Sequence, residues 1–249
     1  MGDILPDKKR KTKQNKTKQK TMRKLFLSIS FLLISFLNYS QNANIKFGIH
    51  TGLNYSTFYG YDIPAAINPV YSESPAFAFL GGINIEYQIK EKLSFKLELN
   101  YERKSQKGDN NIEIIDTNDY TKSYNFTSKK NNDYLVLPIM VKYNFGNKNS
   151  FYANGGPFIG YLLKSNFTND LGDIEGINNG TVDTTDLNNK IDFGLAIGLG
   201  KMIELNEKNS ISIEIRENLG LTNTSKEKVW GNGVAKTNSL NLIIGYQFN

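Results

Sequence analysis

The last thirteen residues, 237–249, are the segment that most constrains the fold of this chain. Apolar and polar side chains alternate there, which places the apolar ones on one face of an extended strand. The apolar face holds Leu240, Leu242, Ile244, Tyr246 and Phe248. The polar face holds Ser239, Asn241, Gly245 and Gln247, with Ile243 as the exception. An aromatic residue one position before the end is typical of the strand that closes a membrane β-barrel.

Seven earlier segments alternate in the same way, so the sequence predicts eight strands. The predicted strands are Ile45–Phe58, Phe77–Ile89, Leu93–Ser105, Asp133–Phe145, Ser150–Lys164, Lys190–Leu205, Asn209–Thr222 and Thr237–Asn249. Pro138 lies inside the fourth strand, and proline has no N–H for the ladder, so we expect a bulge there.

The connections between these strands alternate in length. Short turns are predicted at 90–92, 146–149 and 206–208, and long loops at 59–76, 106–132, 165–189 and 223–236. An up-and-down barrel places successive connections at opposite ends. The pattern therefore predicts an all-β fold, an eight-stranded antiparallel up-and-down transmembrane β-barrel. Its four long loops lie at one rim, and its three short turns and both termini lie at the other, as in outer-membrane barrels.

Alternation alone does not say which face of the strands points outward. A soluble periplasmic lipocalin-like barrel has its apolar face inside and holds a ligand there. Three features favour the reverse arrangement: small residues on the polar face, charges of both signs on that face, and aromatic residues gathered near the short-turn rim. The small residues are Gly48, Gly52, Gly82, Gly194, Gly198 and Gly200. The aromatic residues are Phe47, Tyr87, Phe95, Tyr143, Phe145, Phe151, Tyr246 and Phe248.

The high pI of the chain, near 9.2, comes from its first residues. Residues 1–24 hold ten Lys/Arg and two Asp/Glu, and residues 25–41 hold no charge. Of the 30 basic and 24 acidic residues, 20 and 22 remain beyond that point, so the predicted barrel is slightly acidic and no nucleic-acid partner is expected. We interpret residues 1–21 as a basic upstream extension or a mis-called start.

Residues 22–40 have the three parts of a secretory signal peptide. Arg23 and Lys24 supply the positive charge, Leu25–Leu37 is the apolar region, and small Ser40 precedes a cleavage site. A helix of this apolar length spans about 20 Å, short of the roughly 30 Å hydrocarbon core of a bilayer. The sequence therefore predicts a signal-directed outer-membrane protein with periplasmic termini, whose barrel domain is 41–249.

Several short motifs recur along the predicted strands: Phe47–Asn54, Gly81–Ile83 with Leu97–Leu99, Tyr134–Pro138, Gly155–Tyr161, Asp192–Leu195 and Gly245–Phe248. In their order and spacing they resemble the PorT-like outer-membrane β-barrel proteins of Bacteroidetes. The resemblance covers about 45–249 and implies an eight-stranded outer-membrane barrel. One class within that family assists a secretion system. The shared motifs are structural, so the resemblance carries over no catalytic or ligand-binding residue.

The sequence supports a non-enzymatic role more than a catalytic one. The charged set Lys96, Glu98, Glu214 and Arg216 forms either an ion path or, as we favour, a structural network in a filled lumen. An outer-membrane lipid-modifying enzyme would need a base, and His50 is the only histidine; Ser56 and Glu86 are the side chains that could join it. We expect no catalytic, cofactor-binding or metal residues.

Recognition through the long loops is the leading prediction for function. The predicted loops carry the aromatic residues Tyr59, Tyr61, Tyr71, Tyr120, Tyr124, Phe126 and Trp230, and exposed loop aromatics suit binding. The expected role is structural, in binding or adhesion, or accessory to secretion. The expected partners are outer-membrane lipid and a protein bound through these loops.

Overall fold

The computed structural model describes residues 44–115, 121–146, 150–170 and 179–248. The predicted upstream extension and signal peptide lie outside these residues, as does 147–149 of the second predicted short turn. The elements of the described part are β1 (Ile45–Tyr59), β2 (Tyr71–Lys90), β3 (Leu93–Ile115), β4 (Thr121–Asn144), β5 (Phe151–Asp170), β6 (Gly180–Asp183), a 3-10 helix (Thr185–Leu187), β7 (Ile191–Glu204), β8 (Asn209–Gly220) and β9 (Lys236–Phe248). None of the helices in this part is both long and apolar enough to cross a membrane.

Eight of the strands close into a hydrogen-bonded ring, as predicted. The ring order is β4, β3, β2, β1, β9, β8, β7 and β5, and β4 pairs with β5 to complete it. Every pairing is antiparallel, and β6 pairs with the C-terminal end of β5.

The ring is staggered. Following the paired residues from Val141 through β5, β7, β8 and β9 reaches Tyr55 of β1. Following them the other way, through β3 and β2, reaches Ile45, a displacement of ten residues on the same strand. A closed sheet with this stagger needs strongly tilted strands.

The alternating apolar side chains point away from the ring. Phe77 is 68% exposed and Ile197 66%, whereas Arg216 on the polar face is 1% exposed. This arrangement is the reverse of a lipocalin, in which the apolar face lines the interior. We call the outward apolar residues the belt. Other belt members include Ile49, Leu53, Ile83, Ile85, Leu97, Leu99, Val141, Ile159, Leu195, Leu199, Ile213, Ile215, Leu240, Leu242 and Ile244.

Aromatic residues gather at the short-turn end of the belt, where the sequence placed them. Tyr87 pairs with Phe95 across β2 and β3. The rings of Phe47 and Phe248 stack with centroids 6.4 Å apart on β1 and β9. Aromatic girdles of this kind mark the interfacial zone of membrane barrels.

Four strands run farther than the sequence predicted at the opposite end. β2 begins at Tyr71, β3 continues to Ile115, β4 begins at Thr121 and β5 continues to Asp170. The predicted loop 106–132 is therefore mostly a β-hairpin, and parts of 59–76 and 165–189 are strand, including β6. These stretches are mostly polar, so they lack the sustained alternation that reveals a half-buried strand. We call the strand beyond the predicted bounds the extension: 71–75, 106–115, 121–132, 165–170 and 180–183.

The predicted bulge at Pro138 is wrong. Leu97 pairs with Ile139 and Asn100 pairs with Val136, so the register of β3 and β4 is the same on both sides of the proline. The missing N–H removes a ladder bond without adding a residue. The irregularity in β4 lies instead between Asp133 and Tyr134, where its register with β5 shifts.

Candidate functional site

The interior of the ring is crossed by buried ion pairs. The Nη1 and Nη2 atoms of Arg216 on β8 donate to the two carboxylate oxygens of Glu98 on β3, at 2.6 and 2.9 Å. β3 and β8 lie four places apart in a ring of eight, so this bidentate pair joins opposite walls. Arg216 also donates through Nε to Glu214, and Lys96 lies 2.7 Å from Glu98.

Further polar groups fill the lumen above and below this bridge. Toward the short-turn rim, Lys142 Nζ donates to both oxygens of Glu86 at 2.9 and 3.1 Å. Toward the extension, Lys104 Nζ donates to Asp192 at 3.0 Å. Between these levels Glu102 accepts bonds from Asn54, Asn218 and Ser239. Charges buried this completely are tolerated because each is paired and hydrogen-bonded.

One part of the lumen wall is apolar. Its buried cluster comprises Tyr134, Val136, Met140, Phe158, Leu162 and Ala196, from β4, β5 and β7. Lys104 joins the two kinds of interior, because its ammonium lies 4.8 Å from the Phe158 ring centroid as well as beside Asp192. A cavity of about 20 Å³ beside His50 and Lys96 has room for about one water molecule. The interior of the ring is therefore packed rather than open.

His50 lies inside this network. Its Nε2 is 2.7 Å from Asn100 Oδ1 and its Nδ1 is 3.3 Å from Asn84 Nδ2. The structure does not bring Ser56 to it, because the Ser56 hydroxyl exchanges hydrogen bonds with the backbone of Ser105. Glu86 is held by Lys142 and Gln247. Of the three residues that the sequence offered for an enzyme site, His50 and Glu86 therefore line the same small cavity with different hydrogen-bond partners, and Ser56 lies elsewhere in the lumen wall.

Above the lumen, two tyrosines clamp one carboxylate. Tyr61 donates to Glu73 Oε2 at 2.6 Å and Tyr71 donates to Glu73 Oε1 at 2.7 Å. Gln106 Nε2 donates to the Tyr61 hydroxyl at 3.0 Å, and the Trp230 ring lies 5.6 Å from that of Tyr71. We call these five residues the cap. Burial, with the hydrogen bond to Glu73 as the second cause, raises the pKa of both tyrosines above the ordinary range.

Trp230 belongs to the tip of a short hairpin. Val229 pairs with Gly233, and the chain turns through Trp230 at φ 47° and Gly231 at φ 88°. A bulky residue at positive φ is uncommon, and packing of the Trp230 ring against Tyr71 stabilises it there. The turn therefore ties the 223–236 connection to the start of β2.

The other aromatic residues predicted for the loops have different positions. Tyr59 ends β1, and its hydroxyl donates to the carbonyl of Gly220 at 2.6 Å. Tyr124 and Phe126 lie on β4 within the extension, not in a loop. Tyr120 lies outside the described residues.

A groove of about 400 Å³ lies in the extension, where β2 begins and the β3–β4 hairpin continues beyond it. The lining residues are Asn68, Pro69, Val70, Tyr71, Ser72, Asp109, Asn110, Asn111, Asn125, Phe126 and Thr127. Asn111 Nδ2 donates to Ser123 and to Asn125, both at 2.8 Å. The backbone N–H of Asn111 donates to the Val70 carbonyl, which fixes the loop wall against β3.

Sequence reasoning missed this groove because it treated both of its walls as loop. The signal that could have found it is the pair of runs without apolar side chains on either side of the hairpin, Lys107–Asn111 and Thr127–Asn132. Among the described residues, no three His, Asp or Glu side chains are grouped so as to hold a metal ion.

Comparisons with known proteins agree with the architecture. Residues 39–226 match the model of a family described as "Outer membrane protein beta-barrel domain". No curated protein matches the chain. Similar solved structures include outer membrane protein OprG of Pseudomonas aeruginosa, with 14% identity, 82% of this chain and 96% of that chain covered, and a TM-score of 0.38.

Two other solved structures are similar to the same degree. Neisserial surface protein A has 12% identity, coverage of 81% of this chain and 96% of that chain, and a TM-score of 0.37. Outer Membrane Protein W of E. coli has 14% identity, coverage of 84% of this chain and 100% of that chain, and a TM-score of 0.37.

Proposed function

Because the chain belongs to the outer membrane protein beta-barrel domain family, we propose that it is a closed eight-stranded barrel of the outer membrane that binds a partner at the cell surface and catalyses no reaction. The observation that carries this proposal is the extension. It is a polar sheet that continues beyond the belt on one side of the ring, where a barrel serving only as a membrane plug would need no more than turns. Its groove and cap are ordered by hydrogen bonds, as binding surfaces on rigid scaffolds are.

The packed lumen supports a role outside the ring rather than through it. A pore would need an open path between the rims, and the Arg216–Glu98 bridge crosses that path. The same packing argues against the lipid-modifying alternative, since His50 is held by two asparagine side chains within the wall. Adhesion and assembly of a surface complex are the roles that an ordered outer sheet suits best.

The proposal includes an orientation. The signal segment at 22–40 directs export, the short turns and both termini face the periplasm, and the extension faces the outside. The aromatic girdle at the short-turn end supports this arrangement, and so does the excess of polar strand at the other end. The resemblance to PorT-like proteins keeps a secretion-accessory role as the second form of the proposal.

Cysteine labelling of whole cells tests the orientation. The chain has no cysteine, so a single introduced thiol is the only site that reacts. Thr181→Cys in β6 and Asn206→Cys in a short turn would be treated with a membrane-impermeant maleimide. We expect Thr181→Cys to be labelled in intact cells and Asn206→Cys only after lysis. Labelling of Asn206→Cys alone in intact cells would overturn the orientation.

Migration in detergent gels tests the barrel itself. Outer-membrane fractions run without boiling are expected to migrate differently from boiled ones, because a closed ring resists the detergent. A protein found soluble in the periplasm, with no such difference, would contradict the membrane location.

A further inference from the structure

We propose that the groove in the extension is a binding site for a neutral glycan, an inference that rests on the proposed surface-binding role. The groove has a clear structural origin. β2 begins at Tyr71, whereas its neighbour β3 and the next strand, β4, continue as a two-stranded ribbon. The resulting step is walled by the loop at Asn68–Val70, and its volume of about 400 Å³ is within the range of small-ligand sites.

The lining chemistry selects the class of ligand. Four asparagines line the groove. Their amides combine donors and acceptors as sugar hydroxyls do, and the two donors of Asn111 are used within the wall. Ser72 and Thr127 add hydroxyl groups of the same dual character. An apolar ligand would leave these groups desolvated and unpaired, which is costly.

Hydrogen bonds hold the asparagine side chains of the groove in place in the free protein. Asn111 donates both amide hydrogens, one to Ser123 and one to Asn125, at 2.8 Å each. Asn110 Nδ2 lies 3.3 Å from Ser128 Oγ on the neighbouring strand. Fixing these side chains in the free protein reduces the entropy lost on binding.

The groove also has aromatic surface and little net charge. Phe126 and Tyr71 line it, and the C–H face of a sugar ring packs against such rings. Of the described lining residues, Asp109 is the one that carries a charge, and its carboxylate lies 2.8 Å from Lys107 Nζ. A sulfated or phosphorylated ligand would find no arginine and no unpaired cation in this lining, so a neutral sugar fits better than a polyanion.

The test uses the full barrel refolded in detergent, with intrinsic fluorescence as readout. The chain has one tryptophan, Trp230, whose ring is 5.6 Å from that of Tyr71, a lining residue. The probes are maltohexaose, cellohexaose, chitotetraose and mannopentaose, with a heparin hexasaccharide as the polyanionic comparison. We expect at least one neutral probe to change the fluorescence saturably, with a Kd below about 1 mM.

Variants separate the groove from the rest of the extension. Asn111→Ala and Phe126→Ala are each expected to weaken binding by about tenfold or more. Thr181→Ala on β6 lies in the same extension outside the groove and is expected to bind like the native chain. Unboiled gel migration shows that each variant has kept its ring.

Three outcomes overturn the proposal: no neutral probe binds, only heparin binds, or Asn111→Ala and Phe126→Ala bind like the native chain. None of these bears on whether the extension is outside the cell, which the cysteine labelling measures separately. Failure of the glycan site is therefore distinguishable from failure of the proposed function.

Discussion

The ring within the belt and the extension above it are both antiparallel β-sheet, but different forces hold them. In the ring, side chains specify the pairing: apolar groups face out, and buried ions join opposite walls, as Arg216 and Glu98 do. The extension is mostly polar, and pairs such as Lys107–Asp109 are about half exposed. The ladder of backbone hydrogen bonds is what the two regions share. The strands of a closed ring can therefore continue as paired sheet beyond the membrane without a second hydrophobic core.

The sharpest test of this contrast removes one cation from each region. Arg216→Met would leave Glu98 and Glu214 buried without their main partner, at a cost of roughly 3–5 kcal/mol of unfolding free energy. Lys107→Met removes an exposed cation and is expected to cost about 0–1 kcal/mol. Urea unfolding in lipid vesicles, followed by unboiled gel migration, measures both. Equal effects would show that the lumen network does not hold the ring.

Substitutions at two neighbouring glycines test how tightly the lumen is packed, with a smaller expected loss of unfolding free energy. A Cβ at Gly82, on the lumen side, would meet the Leu99 carbonyl oxygen and the Asn100 side chain, whereas at Gly81 the nearest atom is 3.6 Å away. We expect Gly82→Ala to cost about 1–3 kcal/mol through overpacking. Gly81→Ala serves as the matched control and should change the unfolding free energy little. The same urea titration compares them, and a tolerated Gly82→Ala would mean that the wall can shift.

Trimming the extension should leave the ring nearly unaffected. Replacing residues 108–127 with an Asn-Gly turn removes the hairpin ends but no lumen residue. We expect the unfolding free energy to change by less than about 1 kcal/mol, since loop length contributes only weakly. The trimmed chain should also lose neutral-glycan binding. A large loss of ring stability would show that the two regions fold as one unit.

The smallest expected effect is the pH dependence of the cap. The pKa values of Tyr61 and Tyr71 are raised in the folded chain, so their contribution to stability is complete below the unfolded pKa of about 10 and is lost as pH rises through the folded pKa values. Tyrosinate absorbance should therefore place these two residues among the tyrosines of the chain that ionise late. In Glu73→Gln these two should ionise at lower pH, because the carboxylate no longer accepts their hydrogen bonds. Unchanged titration in that variant would contradict the clamp.

The same contrast explains what the sequence could predict. In β3 and β9, residues such as Leu97 and Leu242 alternate with polar neighbours because one face meets lipid and the other faces the lumen. The sequence pattern therefore predicts both the position of these strands and the face on which each side chain lies. In the extension, Lys107–Asn111 is polar at every position, and a strand paired through its backbone leaves no such pattern. The groove could not be predicted either, because these strands form its walls.

The pairing of charged side chains within the lumen was harder to predict than which side chains face the lumen. The sequence singled out Glu98 and Arg216 as members of one charged set, but these residues lie on opposite walls, 118 positions apart. Which charge meets which depends on the ten-residue stagger of the ring, and that stagger is a property of all eight pairings together. Alternation within one strand carries no information about it.

The order of strands in the extension has a consequence for how copies of this protein meet. A closed ring has no terminal strand, whereas the sheet above it ends at 71–75 of β2 on one side and at β6 on the other. Within the part of the chain that the structure describes, those two margins are where templated growth by strand addition can start, outside the bilayer. One margin contains Pro75, which has no N–H to offer, and the other is four residues long. Short margins and proline are the means by which sheets resist polymerisation, so a densely populated membrane can display this protein without linking its copies into fibres.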